Sequence, residues 1–216
     1  MPDVFEAALR RAMTQLPGLE AQLRMAPTPR TGWDPLRPPE GLRDAAALLL
    51  LYPHDGAWHV PLTVRGSRLR KHTGQISLPG GGVDPGESFE TTALREASEE
   101  LGVVPASVRV IGRLTPLHIP VSGYLLHPVV GLTDARPAFQ PHEWEVERLL
   151  EVSLATLRDP ATVARDSEQR RQGDATYTWV VPYFDLGGER LWGATAMVMA
   201  EFLAIVDTLG LLSDGR

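Results

Sequence analysis

Apolar side chains recur along the chain with two different periods, and the switches between them divide it into elements. Phe5, Leu9, Ala12, Met13 and Leu16 fall three or four residues apart, which predicts an amphipathic helix over Asp3 to Leu16, stopped by Pro17 and Gly18. Five prolines between Pro27 and Pro39 predict an extended surface connector. Ala45 to Tyr52 is a continuous apolar run bounded by Pro53, His54, Asp55 and Gly56, and Ala57 to Val64 follows with strand-like alternation. The pair reads as a hairpin whose first strand is buried on both faces. Further strands are predicted at Val108 to Leu114, Tyr124 to Leu132 and Ala175 to Val181. Helices are predicted at Ser88 to Leu101 and Ala194 to Leu209, each closed by a glycine, Gly102 and Gly210. Strands mixed with few helices indicate an α/β or α+β domain with a mixed sheet.

Composition narrows the chemistry. The chain has 216 residues, enough for one domain with an elaborated terminus, and 43% of them are hydrophobic, which excludes wholesale disorder. Having no cysteine, it has no disulfide framework, thiolate zinc site or cysteine nucleophile. The six histidines show no zinc-ligand spacing, and no serine sits in a nucleophile elbow. A net charge of −6 argues against a bulk nucleic-acid binder, and no apolar run is long enough for a membrane span, so a cytoplasmic location is expected.

The charges are unevenly placed. Glu96, Glu99 and Glu100 stand at i, i+3 and i+4 on one face of the Ser88 to Leu101 helix, opposite the apolar face of Leu94, Ala97 and Leu101. Crowded carboxylates repel, and a hard divalent cation relieves that repulsion; an acidic face left to solvent is the plainer alternative. Arg95 is spaced to hold Glu99 or Glu87. A glycine-rich loop, Gly80 to Gly86, leads into the helix, and Ser88 is its expected N-cap. Ahead of the loop, Arg65, Arg68, Arg70 and Lys71 form a basic run at the end of a predicted strand. Guanidinium groups placed there suit a phosphorylated ligand.

The residues Gly81-x5-Glu87-x7-Arg95-Glu96-Ala97-x-Glu99-Glu100-x-Gly102-Val103 resemble the Nudix box at every fixed letter. At roughly 5–8% usage per residue type, seven fixed letters coincide by chance at about one start in 10⁸, so accident does not explain the match. The resemblance implies an α/β/α sandwich with a mixed sheet, carrying an added N-terminal helix, and hydrolysis of a nucleoside diphosphate linked to another moiety. It also implies Mg²⁺ or Mn²⁺ as cofactor, with Glu96, Glu99 and Glu100 as the metal-binding set, Glu96 and Glu100 as the direct ligands, and Arg95 and Glu87 as orienting partners. For Glu87 a loop-to-helix salt bridge and direct metal contact are both open.

The stretch from Leu62 to Gly81 is similar to a second motif, that of the coenzyme A pyrophosphatase branch of the family. Leu62, Thr63, Arg65, Arg70, Gly74, Pro79, Gly80 and Gly81 match in register, while Pro61, Gly66 and Leu78 depart. Glu145-Val146 with Val152-Ser153-Leu154, and Trp192-Gly193-Ala194-Thr195-Ala196, resemble two later stretches of that branch. The implied activity is cleavage of coenzyme A or its thioesters. Arg65, Arg70, Gly74, Gly80 and Gly81 would bind substrate, Glu99 and Arg95 would assist catalysis, and Glu145 would be the general base or a further metal ligand. An exposed acidic patch is the alternative for Glu145, and a core anchor is the plainer role for Trp192. Residues 1–40 read as helix and connector, and 41–216 as the catalytic domain. A small-molecule partner and a homodimer are both compatible with this reading. The rivals are other Nudix substrates (ADP-ribose, NADH, nucleoside triphosphates) and a nucleotide-sensing module without turnover.

Overall fold

The computed structural model describes residues 2–30, 33–65, 75–172 and 175–210. Helix α1, Pro2–Ala12, is followed by the short α2, Gly18–Gln22. The N-terminal helix therefore stops a turn short of the predicted Leu16. Thr14 turns back on Arg11, with its N–H and its hydroxyl both donating to the Arg11 carbonyl, at 3.2 and 2.7 Å. That local bond competes with the helical ladder. The proline connector begins with a bridge between Thr28 and Val180, the two backbones exchanging bonds of 2.9 and 2.7 Å.

Strand β1, Arg43–His54, is the axis of the main sheet and turns at Asp55-Gly56 into β2, Ala57–Arg65. The two pair directly only from Tyr52↔His59 to His54↔Ala57. Beyond that point the hairpin opens, and the short strands β3, Ile76–Ser77, and β4, Gly80–Gly82, enter the gap, β3 on β2 and β4 on β1. Helix α3, Phe89–Leu101, comes next, then β5, Arg109–Arg113, β6, Leu117–Ile119, and β7, Tyr124–Leu132. The β7 strand lies parallel to β1, from Arg43↔Tyr124 to Leu51↔Leu132, while the other pairings are antiparallel, so the sheet is mixed. Strand β8, Val146–Ser153, covers the outer edge of β2. After α4, Leu154–Arg158, a second sheet forms from β9, Val163–Gln172, β10, Ala175–Asp185, and β11, Arg190–Trp192; helix α5, Gly193–Thr208, ends the fold.

The continuous apolar run of β1 is explained by its two covered faces. Ala46, Leu48, Leu50 and Tyr52 pack with Ala93, Ala97 and Leu101 of α3. The alternate residues Ala47, Leu49 and Leu51 join Met197, Phe202 and Ile205 of α5 and also Phe5 and Leu9 of α1. The layers are thus helix, sheet, helix, as expected, with α1 built into one outer layer. A buried polar clamp adds to that layer. Glu201 of α5, wholly inaccessible, accepts from Gln22 Nε2 at 2.7 Å and from the Thr115 hydroxyl at 2.6 Å. Trp192 is not the deep anchor expected of it; it is half-buried, edge-on to Trp179, and the neighbouring Leu191 fills the core instead. No helix among the described residues is long and apolar enough to cross a membrane.

Candidate active site

The site is built where the opened hairpin meets α3. Ser88 starts the helix as expected, its Oγ accepting from Thr91 N–H at 3.1 Å. Gly102 ends it at φ +70°, with Gly102 and Val103 donating back to Ser98 and Ala97. Between these caps, Ala93, Ala97 and Leu101 fix the helix on the sheet, which turns Glu96 and Glu100 toward β4.

The glycines of β4 are dictated by crowding. A Cβ on Gly80 would lie 2.5 Å from the Ala46 carbonyl oxygen of β1, and one on Gly81 would lie 2.5 Å from the Glu96 carboxyl carbon. Side chains at these two positions would therefore meet backbone on one side of the strand and a functional carboxylate on the other. Both glycines stand beside the glutamates.

Arg95 is the hub of the helix. Its Nε and Nη2 donate to the two oxygens of Glu87 at 2.9 and 3.1 Å, and Nη2 also reaches the Gly82 carbonyl at 3.2 Å. Its Nη1 donates to Glu96 at 2.8 Å and to Glu99 at 3.1 Å. Thr92 donates a further bond to Glu87 at 2.6 Å. The Arg95 guanidinium and the Thr92 hydroxyl hold the Glu87 carboxyl down at about 2. In this arrangement Glu87 is a salt-bridge partner that ties the loop to the helix, one of the two roles open to it from sequence.

The three helix glutamates are not equivalent. Glu100 is 5% exposed, and burial pushes its carboxyl up to about 7 despite the Gly80 N–H at 3.5 Å and the nearby charge of Arg65. Glu96 is raised by burial too, with Arg95 opposing and the charges of Glu99 and Glu145 adding to the rise. Glu99, by contrast, is 58% exposed on its side chain and leans on Arg95.

Glu145 reaches this group from outside the helix. It is exposed in the turn just before β8, and its charge acts on both Glu96 and Glu100. The pairing Arg65↔Val146 sets the end of β2 beside it, with an irregularity in register between Val64 and Arg65. The Arg65 Nε is buried with no hydrogen-bond partner among the described residues, so this cation has capacity left for a ligand. Arg70 and Gly74, the other two predicted substrate contacts, lie outside the described residues.

Among the described residues no three carboxylates converge into a ready-made metal cage. The donor set nevertheless fits Mg²⁺ or Mn²⁺. Magnesium keeps several waters and takes one or two carboxylates together with substrate phosphates. Glu100 supplies a buried carboxylate and Glu96 a half-buried one that repels it, beside a backbone cleared of side chains.

One contribution was not visible in the residue pattern. The loop between β7 and β8 is strapped to the end of α3, with Gln140 N–H donating to Leu101 O and His142 N–H to Glu100 O, both at 2.8 Å. These are backbone bonds, so no residue type announces them.

Known proteins resemble this chain in sequence and in fold. The NUDIX domain model matches residues 41–171. The uncharacterized Nudix hydrolase NudL of Pectobacterium atrosepticum is 38% identical over 169 residues, spanning 77% of this chain and 84% of that protein. The uncharacterized Nudix hydrolase NudL of Shigella flexneri serotype 5b is 35% identical over 173 residues, spanning 76% and 83%. Among solved structures, the Nudix hydrolase RenU of M. smegmatis superimposes with a TM-score of 0.55 at 20% identity, over 80% of this chain and 90% of that one, a likeness of fold.

Proposed function

Because the chain belongs to the Nudix hydrolase family, we propose that this pyrophosphohydrolase acts on coenzyme A or its thioesters. Water would break the P–O–P bridge to give 4′-phosphopantetheine, acylated for a thioester, and adenosine 3′,5′-bisphosphate. The observation that carries this reading is Arg65. It matches the arginine that follows the Leu-Thr pair in the coenzyme A branch, and it sits at the end of β2 within electrostatic reach of Glu100, with no partner for its Nε among the described residues.

In this reading Glu96 and Glu100 hold Mg²⁺ or Mn²⁺, with Glu99 assisting. The ion neutralises pyrophosphate charge and acidifies water when bound. The chain's own residues do the rest. Arg65, with Arg70, grips phosphate oxygens, and the side-chain-free backbone at Gly80 and Gly81 allows the diphosphate a close approach. Glu145 takes the proton of the attacking water. Arg95 keeps Glu96 and Glu99 in place through its two Nη1 bonds. Residues 41–216 would form the catalytic unit, with 1–40 packed against it.

A panel of coenzyme A, acetyl-coenzyme A, ADP-ribose, NADH and a nucleoside triphosphate, each with Mg²⁺ and with Mn²⁺, tests the substrate. Coenzyme A or its thioester should lead in kcat/KM by about tenfold or more, equivalent to about 1.4 kcal/mol of transition-state preference. ADP-ribose or NADH at the head of the ranking would refute the choice of substrate and leave the chemistry standing.

A further inference from the structure

The loop that carries Glu145 is held like a buckled strap, fastened at several points along its length. At its root, Thr133 N–H donates to Leu51 O at 3.0 Å. Asp134 accepts both Nη groups of Arg109 at 2.7 and 2.8 Å, and the same arginine donates Nε to Glu6 of α1. Two residues on, Arg136 grips Glu151 of β8 with a second fork, both bonds 2.7 Å. The buried Tyr52 hydroxyl donates to that same Glu151 at 2.8 Å. Phe139 then packs edge-on to Tyr52 at 5.3 Å and under the Arg136 guanidinium at 5.4 Å.

From there the chain runs along the end of α3. Gln140 and His142 donate to the last helical carbonyls, one of them that of Glu100 itself. The fit is close, since a Cβ on Gly102 would stand 3.0 Å from that of Gln140. His142 O then receives the N–H groups of Glu145 and Val146, and Val146 is buried at the head of β8. Because Glu151 belongs to the strand that directly follows Glu145, the Arg136–Glu151 fork closes the strap on itself, with Glu145 inside the closure.

We propose that Arg136 and Glu151 are positioning residues for Glu145, fixing the strap so that this carboxylate is held in register with Glu96 and Glu100. The inference rests on the reading of Glu145 as proton acceptor. A bidentate arginine fork is suited to this because it fixes orientation as well as distance, which a lysine does not. Displacements of about 1 Å at a reacting group cost up to about 10²-fold in rate, so a distant fastening has kinetic consequences.

The test is a double-mutant cycle of Arg136→Ala and Glu145→Gln, measured with whichever panel compound is turned over fastest, with Arg136→Lys as a milder variant that keeps the charge. Arg136→Ala should lower kcat about tenfold while leaving KM and the Mn²⁺ concentration dependence unchanged, and Arg136→Lys should fall between it and wild type. In the Glu145→Gln background, removing Arg136 should cost less than about twofold, because the group it positions is gone. An equal loss in both backgrounds would overturn the inference and identify Arg136 as merely structural. A Glu145→Gln enzyme as fast as wild type would overturn the proton-acceptor reading and the inference together, a result distinct from the first.

Discussion

Glu100→Gln should lower turnover by on the order of 10³-fold while making the metal-free protein more resistant to unfolding above neutral pH. The loss of turnover follows from the site. Glu100 is the most buried of the proposed ligands, and an amide supplies no charge for a divalent ion, so several kcal/mol of transition-state stabilisation disappear. The gain in stability follows from linkage. Burial holds the Glu100 proton to about 7 in the fold, against 4.5 for an unperturbed glutamate. The folded protein therefore binds that proton more tightly than the unfolded chain, and stability falls as pH rises between those values. Ionising the group inside the fold costs about 3 kcal/mol at pH 8, by 1.36 kcal/mol per unit of pKa. Glutamine does not titrate, and its oxygen still accepts from Gly80. With a chelator present, calorimetry should place the Gln variant's Tm above wild type at pH 8 and close to it at pH 5. A metal-dependent, fully active Glu100→Gln protein would refute the ligand assignment, and a lower Tm at pH 8 would refute the burial argument.

Two neighbouring glycines should fail in different ways. Gly81→Ala drives a methyl into the Glu96 carboxylate, which is the far end of a flexible side chain and can swing away. The fold should survive with a loss of about 1 kcal/mol. Glu96 would leave its bond with Arg95, and kcat should fall about 10²-fold. Gly80→Ala instead meets the Ala46 carbonyl and the Ala47 backbone, which cannot move without parting β4 from β1. Here the main loss should be stability, about 3 kcal/mol from overpacking. Urea melts and steady-state rates on both variants separate the two effects. Equal melting midpoints for the pair would show that the strand gives way more easily than these contacts imply.

The elements that could be read from sequence are those whose own residues report their burial. The predicted strand Tyr124 to Leu132 coincides with β7, and the predicted helix starts on the N-cap of α3, because apolar spacing and Ser88 mark them. Strand β9 escaped because Val163–Gln172 is almost wholly polar; it is held by ladder bonds to β10, with Arg165 to Arg171 exposed. The two-residue β3 and three-residue β4 are too short to carry a period, and exist because the hairpin opens. Within the site, spacing names all three helix glutamates without ranking them, and only the resemblance sets Glu96 and Glu100 ahead of Glu99. Glu99 and Glu100 are adjacent and chemically identical, yet one leans outward on Arg95 and the other is buried against Gly80. That difference is a property of the packed sheet.

The clamp between Gln22 and Glu201 joins residues 179 positions apart, and it constrains the order in which the molecule can assemble. Contacts of such separation form late, after the intervening chain has been organised. During synthesis α1 and α2 emerge well before α5, so Phe5, Leu9 and Gln22 have no α5 to pack against until Gly193–Thr208 has been made. The layer that α1 and α2 share with α5 must therefore wait for α5, and a nascent chain arrested before that helix would leave the apolar face of α1 unsheltered.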